Sequence, residues 1–122
     1  MSILTRLFGR TLPSDASASW IEAAALAERL KAARAPLVVD VRDPDEFTGP
    51  LGHIAGARNL PLPEISAWIG DLAAQRAPVV VVCRTDRRSA AAAGQLRAAG
   101  AGEVAVLHGG MEAWRKLGLP VE

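Results

Sequence analysis

Cysteine is nearly absent from this 122-residue chain: Cys83 is the only one. An internal disulfide is therefore excluded, and so is any zinc site built on cysteines. A lone thiol points to a reducing compartment, and the cytoplasm is the expected location. An excess of either charge is also missing. Fourteen basic residues against 13 acidic leave a formal charge of +1. That balance supplies no overall field to gather nucleic acid or an anionic membrane. Aromatic residues make up 4% of the chain, and none interleaves with basic residues as a stacking platform for single strands would. No apolar run approaches the roughly 18 residues of a transmembrane helix, so no stable membrane insertion is expected. Near the start, Arg6 and Arg10 interrupt the apolar residues, and the continuous apolar core of a secretory signal is lacking. Internal repeats and linker-like stretches are missing too, so one domain is expected.

What is present is globular in composition, half hydrophobic and 22% charged, at a length that buries a core without metal or disulfide. Residues 1–18 read as a flexible tail, in which Ile3, Leu4, Leu7 and Phe8 share one face. Residues 19–122 read as the domain. "WIEAAALAERLKAARA" (20–35) has helical periodicity, with Ile21, Ala25, Leu26, Leu30 and Ala33 on one side. "PLVVDV" is a buried strand ending at Val41. In "DPDEF", Asp43, Pro44 and Glu46 stand as cap, first helical residue and capping-box partner. A Gly/Pro-rich loop follows, with a short strand at 57–60. "EISAWIGDLAAQR" predicts a helix packed through Ile65, Trp68, Ile69 and Leu72. "PVVVVC" is the strongest strand. Ser89 is the expected cap of the Ala-rich helix that Gly100 stops. "EVAVL" is a further strand, and "GGMEAWRKLG" a last helix with Met111, Trp114 and Leu117 as its apolar stripe. Apolar strands alternating with amphipathic helices imply an α/β domain with a largely parallel sheet covered on both faces.

The stretch "VVVVCRTDRRS" carries the chemistry. It joins a strand end to a helix start, the place where open α/β sheets bind ligands. The helix start brings unpaired N–H groups and the positive end of its dipole. Arg84, Arg87 and Arg88 add three cations within five residues, and Asp86 opposes them. Each positive feature favours thiolate over thiol at Cys83. On these residues alone two readings stand. Cys83 is a nucleophile in a cationic loop, or it is a small buried hydrophobe beside a solvated charge cluster.

Four motifs in order then resemble a known family, the single-domain rhodaneses, which are sulfurtransferases. They are "VVDVRDPDEF", "GHIAGARNLPL", "VVVVCRTDRRS" and "VLHGGMEAWRKLGLPV". The resemblance covers residues 19–120. It implies a rhodanese-like α/β fold, with a central parallel five-stranded sheet and helices on both faces. It implies that Cys83 is the catalytic nucleophile, taking a sulfane sulfur from a donor such as thiosulfate to form a persulfide. A nucleophilic acceptor, cyanide or a thiol, then removes that sulfur. Arg84, Thr85, Asp86, Arg87, Arg88 and Ser89 would form the substrate-binding loop, whose N–H groups hold the terminal sulfur's charge. The expected partners are a small-molecule donor and acceptor, with a protein acceptor as an alternative. No metal and no cofactor is expected. A sulfur relay to a protein partner and a non-catalytic interaction module are the rival functions.

Loop length separates this chain from related phosphatases, which place Arg at the sixth position after the cysteine. Here that position is Ser89, and the shorter loop suits one sulfur atom. One departure concerns Asp86, where single-domain relatives commonly have Gly. Asp is expected to tolerate a left-handed backbone there and to pair with Arg87 or Arg88. Asp40 is expected to orient loop arginines, or else Arg42 and Glu46 form an ion pair that fixes the turn. His53 reads as a loop tie through its ring nitrogens. Arg58 is placed facing the pocket. Trp68 and Trp114 read as core, and His108 carries no role. Gly109 and Gly110 read as a tight strand-to-helix turn.

Overall fold

A computed structural model describes residues 19–122. The tail reading of residues 1–18 lies outside them. The elements are β1 (Trp20–Ile21), α1 (Ala23–Arg29), β2 (Leu37–Asp40), α2 (Pro44–Phe47) and β3 (Arg58–Asn59). A 3-10 turn (Leu62–Ala67) leads into α3 (Ile69–Ala74). Then come β4 (Val79–Val82), α4 (Arg87–Ala98), β5 (Val104–Leu107) and α5 (Gly110–Lys116). The strands form one parallel sheet in the order β1-β5-β4-β2-β3.

The residue-by-residue alternation of a strand divides the core. Val39, Val41, Val79, Val81, Cys83, Val104 and Val106 face one layer, made by Ile65, Leu72, Ala92, Ala93 and Leu96. Val38, Val80, Val82, Ala105 and Leu107 face the other, made by Ala23, Leu26, Ile54, Met111 and Trp114. Both faces are covered, so β4 is buried along its whole length and reads as an unbroken run of valine. Each such side chain contributes about 1.5–3 kcal/mol of burial.

Three sequence expectations change. Trp20 and Ile21 are not the start of a helix. They form the fifth strand, pairing with Val106 and Leu107, and α1 begins only at Ala23, with Ala23 and Leu26 as its buried residues. A two-residue edge strand carries no alternation long enough to register against a following helical pattern. Trp68 is not core: it is 39% exposed, because the 3-10 turn ends before it and rotates it outward. Arg58 lies over its ring at 5.9 Å, a cation–π contact, and so does not face the pocket. Trp114 is buried as expected, its indole N–H donating to Pro120 O at 2.8 Å. Among the described residues, no helix is long and apolar enough to cross a membrane.

Candidate active site

β4 ends at Val82, and the alternation that buries Val79 and Val81 turns Cys83 toward the same layer as α4. The chain then bends over residues 84–86 into α4, whose cap is Asp86. Cys83 is 1% exposed. Its Sγ receives the Ser89 N–H at 3.4 Å and lies 3.2 Å from Ser89 Oγ. Ser89 is therefore not the helix cap. It is the third residue of α4, and its hydroxyl also reaches Asp86 O at 3.0 Å. The N–H groups of residues 84–88 donate to no acceptor among the described residues. Five such groups, in the loop that joins the thiol to a helix start, are donors left over for an anionic ligand.

The loop is held from the neighbouring strand end. Met111 N–H donates to Cys83 O at 2.9 Å, and Glu112 N–H to Arg84 O at 3.1 Å. These bonds need the backbone of the β5–α5 turn to lie against the loop. Gly109 and Gly110 have φ of 76° and 56°. A Cβ on Gly110 would overlap Cys83 O, Thr85 O and Arg84 C. The pair is a tight turn, as its sequence implies, and its second glycine is also the point of contact with the loop.

Two of the three loop arginines are bonded to glutamates. Arg84 is exposed and its Nε donates to Glu112 at 2.6 Å. Arg88 clasps Glu46 with both terminal nitrogens, at 2.6 and 3.0 Å. Those bonds hold the Glu46 carboxyl well below its usual 4.5, at about 2, and raise the Arg88 guanidinium in turn. Glu46 also accepts the Asp43 N–H at 3.1 Å, so the expected capping residue doubles as the partner of Arg88. Arg87 and Thr85 are exposed. Asp86 pairs with neither Arg87 nor Arg88: its Oδ1 accepts the Gly109 N–H at 2.7 Å. Its φ is −136°, so no left-handed backbone is required there.

Asp40 does not orient the loop arginines, and Arg42 does not pair with the Glu46 carboxylate. Asp40 and Arg42 pair with each other, both 1% exposed, at 2.8 Å. Arg42 also donates to Glu46 O and Gly52 O, at 3.2 and 2.8 Å. This buried pair fixes the segment that forms the far wall of a cavity of about 300 Å³, lined by Arg42, Glu46, Pro50, Leu51 and Arg84. His53 is the loop tie its position implies. Its Nδ1 meets Phe47 O at 2.9 Å, and its ring stacks on Phe47 at 3.7 Å. His108 lies outside the site, exposed and bonded to Glu22 at 2.9 Å. Sequence reasoning missed Glu112 and the second duty of Glu46. Each meets its arginine across 28 and 42 residues of chain, where no local pattern reports it.

The sequence profile of the rhodanese-like domain matches residues 22–117. The chain belongs to the rhodanese-like domain family. A sulfurtransferase of Allochromatium vinosum is 36% identical over 83% of this chain and 92% of its own length. Thiosulfate sulfurtransferase GlpE of Ectopseudomonas mendocina is 42% identical over 65% of this chain and 70% of its own. The crystal structure of a rhodanese-related protein from Thermoplasma volcanium superposes with a TM-score of 0.73. It is 33% identical, with 84% of this chain and 95% of that chain covered. This rhodanese-like domain spans 59% and 50% of two uncharacterized relatives, from Bacillus subtilis and Synechocystis. They are 40% and 38% identical over 63% and 76% of this chain.

Proposed function

We propose that the chain is a sulfurtransferase that carries sulfane sulfur on Cys83. The observation that supports this is the setting of Sγ at the start of α4, against the Ser89 N–H and beside five N–H groups without a protein acceptor among the described residues. In the first step the Cys83 thiolate attacks the sulfane sulfur of thiosulfate. A bond forms from Sγ to that sulfur, the S–S bond of thiosulfate breaks, and sulfite leaves with the electron pair. The product is a persulfide whose terminal sulfur bears the negative charge, and the loop N–H groups hold it. In the second step cyanide or a thiolate attacks the terminal sulfur, and Cys83 leaves as thiolate. Ser89 shapes the loop through its bonds to Cys83 Sγ and Asp86 O, while Arg84 and Arg88 brace it through Glu112 and Glu46.

A second reading is a relay to a protein acceptor. It is favoured by the exposure of Arg84, Thr85 and Arg87 above a buried thiol, which leaves the outer face of the loop open to a macromolecule. A reducing compartment such as the cytoplasm suits the free Cys83 under either reading.

The test is thiocyanate formation from thiosulfate and cyanide, with intact-mass measurement after donor treatment. Wild type should gain the mass of one sulfur atom and lose it to cyanide. Cys83→Ser should do neither, and turnover that survives this substitution would sink the proposal. A protein acceptor that strips the sulfur faster than cyanide would select the relay.

A further inference from the structure

Two of the three cations of the loop meet carboxylates. Arg84 is bonded to Glu112 and Arg88 to Glu46. Arg87 is exposed and has no acidic partner among the described residues. Asp86, one residue before it, places its carboxylate on the Gly109 N–H, a neutral donor. The remaining cation and the remaining anion of the loop therefore offset each other. The nearby Asp40–Arg42 pair is also internally neutral. The loop thus offers backbone N–H groups without an acceptor among the described residues, and its formal charges and those of the Asp40–Arg42 pair leave no net positive charge.

Resting on the sulfurtransferase reading, we propose that Asp86 is a specificity-determining residue. Anchored on Gly109, its carboxylate offsets Arg87 and biases Cys83 toward donors of low negative charge, organic thiosulfonates and persulfides, over dianionic thiosulfate. An alkanethiosulfonate offers the same sulfane sulfur with one charge fewer. The Cys83 thiolate attacks that sulfur, the bond to the sulfonyl sulfur breaks, and a sulfinate leaves with the electron pair. Ser89 Oγ lies 3.0 Å from Asp86 O and 3.2 Å from Sγ, so the carboxylate is fixed close to the thiol. Screened by solvent, it discriminates between the two donors by roughly three- to tenfold per unit of charge. The effect falls with added salt.

Asp86→Asn tests this with the geometry retained, because the amide oxygen still accepts the Gly109 N–H. Steady-state kcat/KM is measured with thiosulfate and with methanethiosulfonate, at low and high salt, and loading of Cys83 is followed by intact mass. The thiosulfate/methanethiosulfonate ratio should rise about three- to tenfold in Asp86→Asn, mainly through KM, and the gain should shrink at high salt. Arg87→Gln should move the ratio the other way. This second variant sits on an exposed side chain, so the reasoning stays testable if Asp86→Asn folds poorly. Both donors loading Cys83 with ratios unchanged in both variants would overturn the Asp86 assignment and leave the sulfurtransferase reading standing. Failure of both donors to load Cys83 in wild type would overturn that reading, and this inference with it.

Discussion

Gly110→Ala gives the sharpest test of how the loop is held. Two costs add. Gly110 has φ of 56°, and a left-handed backbone costs a residue with a Cβ roughly 1–2 kcal/mol. The new methyl would also overlap Cys83 O, Thr85 O and Arg84 C. All three are backbone atoms, so no side chain can swing aside. The loop and α5 must separate, and the bonds from Met111 N–H to Cys83 O and from Glu112 N–H to Arg84 O are stretched. At about 1 kcal/mol net for each bond, the total loss is about 3–4 kcal/mol. A domain of this size holds only about 5–15 kcal/mol.

Gly118→Ala is the matched control. Its φ is 70°, but a Cβ there meets nothing within 4 Å, so it should cost only the roughly 1–2 kcal/mol of backbone strain. Urea unfolding followed by tryptophan fluorescence separates them, since Trp114 is buried. At a slope near 1–3 kcal/mol per molar urea, Gly110→Ala should lower the midpoint by about 2 M and Gly118→Ala by about half as much. Gly110→Ala should also slow sulfur loading of Cys83 in molecules that remain folded. Equal midpoints for the two variants would refute the claim that the turn and the loop are in backbone contact.

Two further predictions concern the charges. Asp40→Asn leaves the buried Arg42 without its counter-ion and should cost about 3–5 kcal/mol, while a double apolar replacement of similar volume should restore most of it; chemical denaturation of both variants checks this. For Glu46, the Arg88 bonds lower the folded-state value from 4.5 to about 2, so its stabilising contribution is full above about 4.5 and disappears as pH falls toward 2. The pair is a third exposed, so Glu46→Gln should cost only about 1 kcal/mol at neutral pH, and its stability should converge with wild type near pH 2 in acid-titrated melts.

The sheet was legible because its central strands are buried on both faces and therefore read as valine runs. The capping box at Asp43 and Glu46 was legible because its parts lie three residues apart. Cys83 was legible as a loop cysteine, because strand end, cysteine and helix start are consecutive. β1 was not, since two residues at a sheet edge carry no periodicity of their own. The partners of the arginines were not, since Arg84 and Arg88 find them on other elements. Counting Arg84, Arg87 and Arg88 suggested a strongly cationic loop. Only the tertiary structure shows two of those charges bonded to glutamates.

That pairing shifts the weight of the chemistry from side chains to backbone. If the arginines are bonded outward or to Glu46, they supply shape to the loop more than charge to the sulfur. What remains is the Ser89 N–H on Sγ, the five loop N–H groups before it that have no acceptor among the described residues, and the positive end of α4. Those groups act only while the loop keeps its curvature. The curvature depends on Cys83 O and Arg84 O being fastened to α5, and that fastening depends on the missing Cβ of Gly110. Sulfur transfer at Cys83 should therefore be more sensitive to a methyl group at Gly110 than to removal of the exposed Arg84 or Arg87 charge. A site held by side-chain cations would show the reverse order.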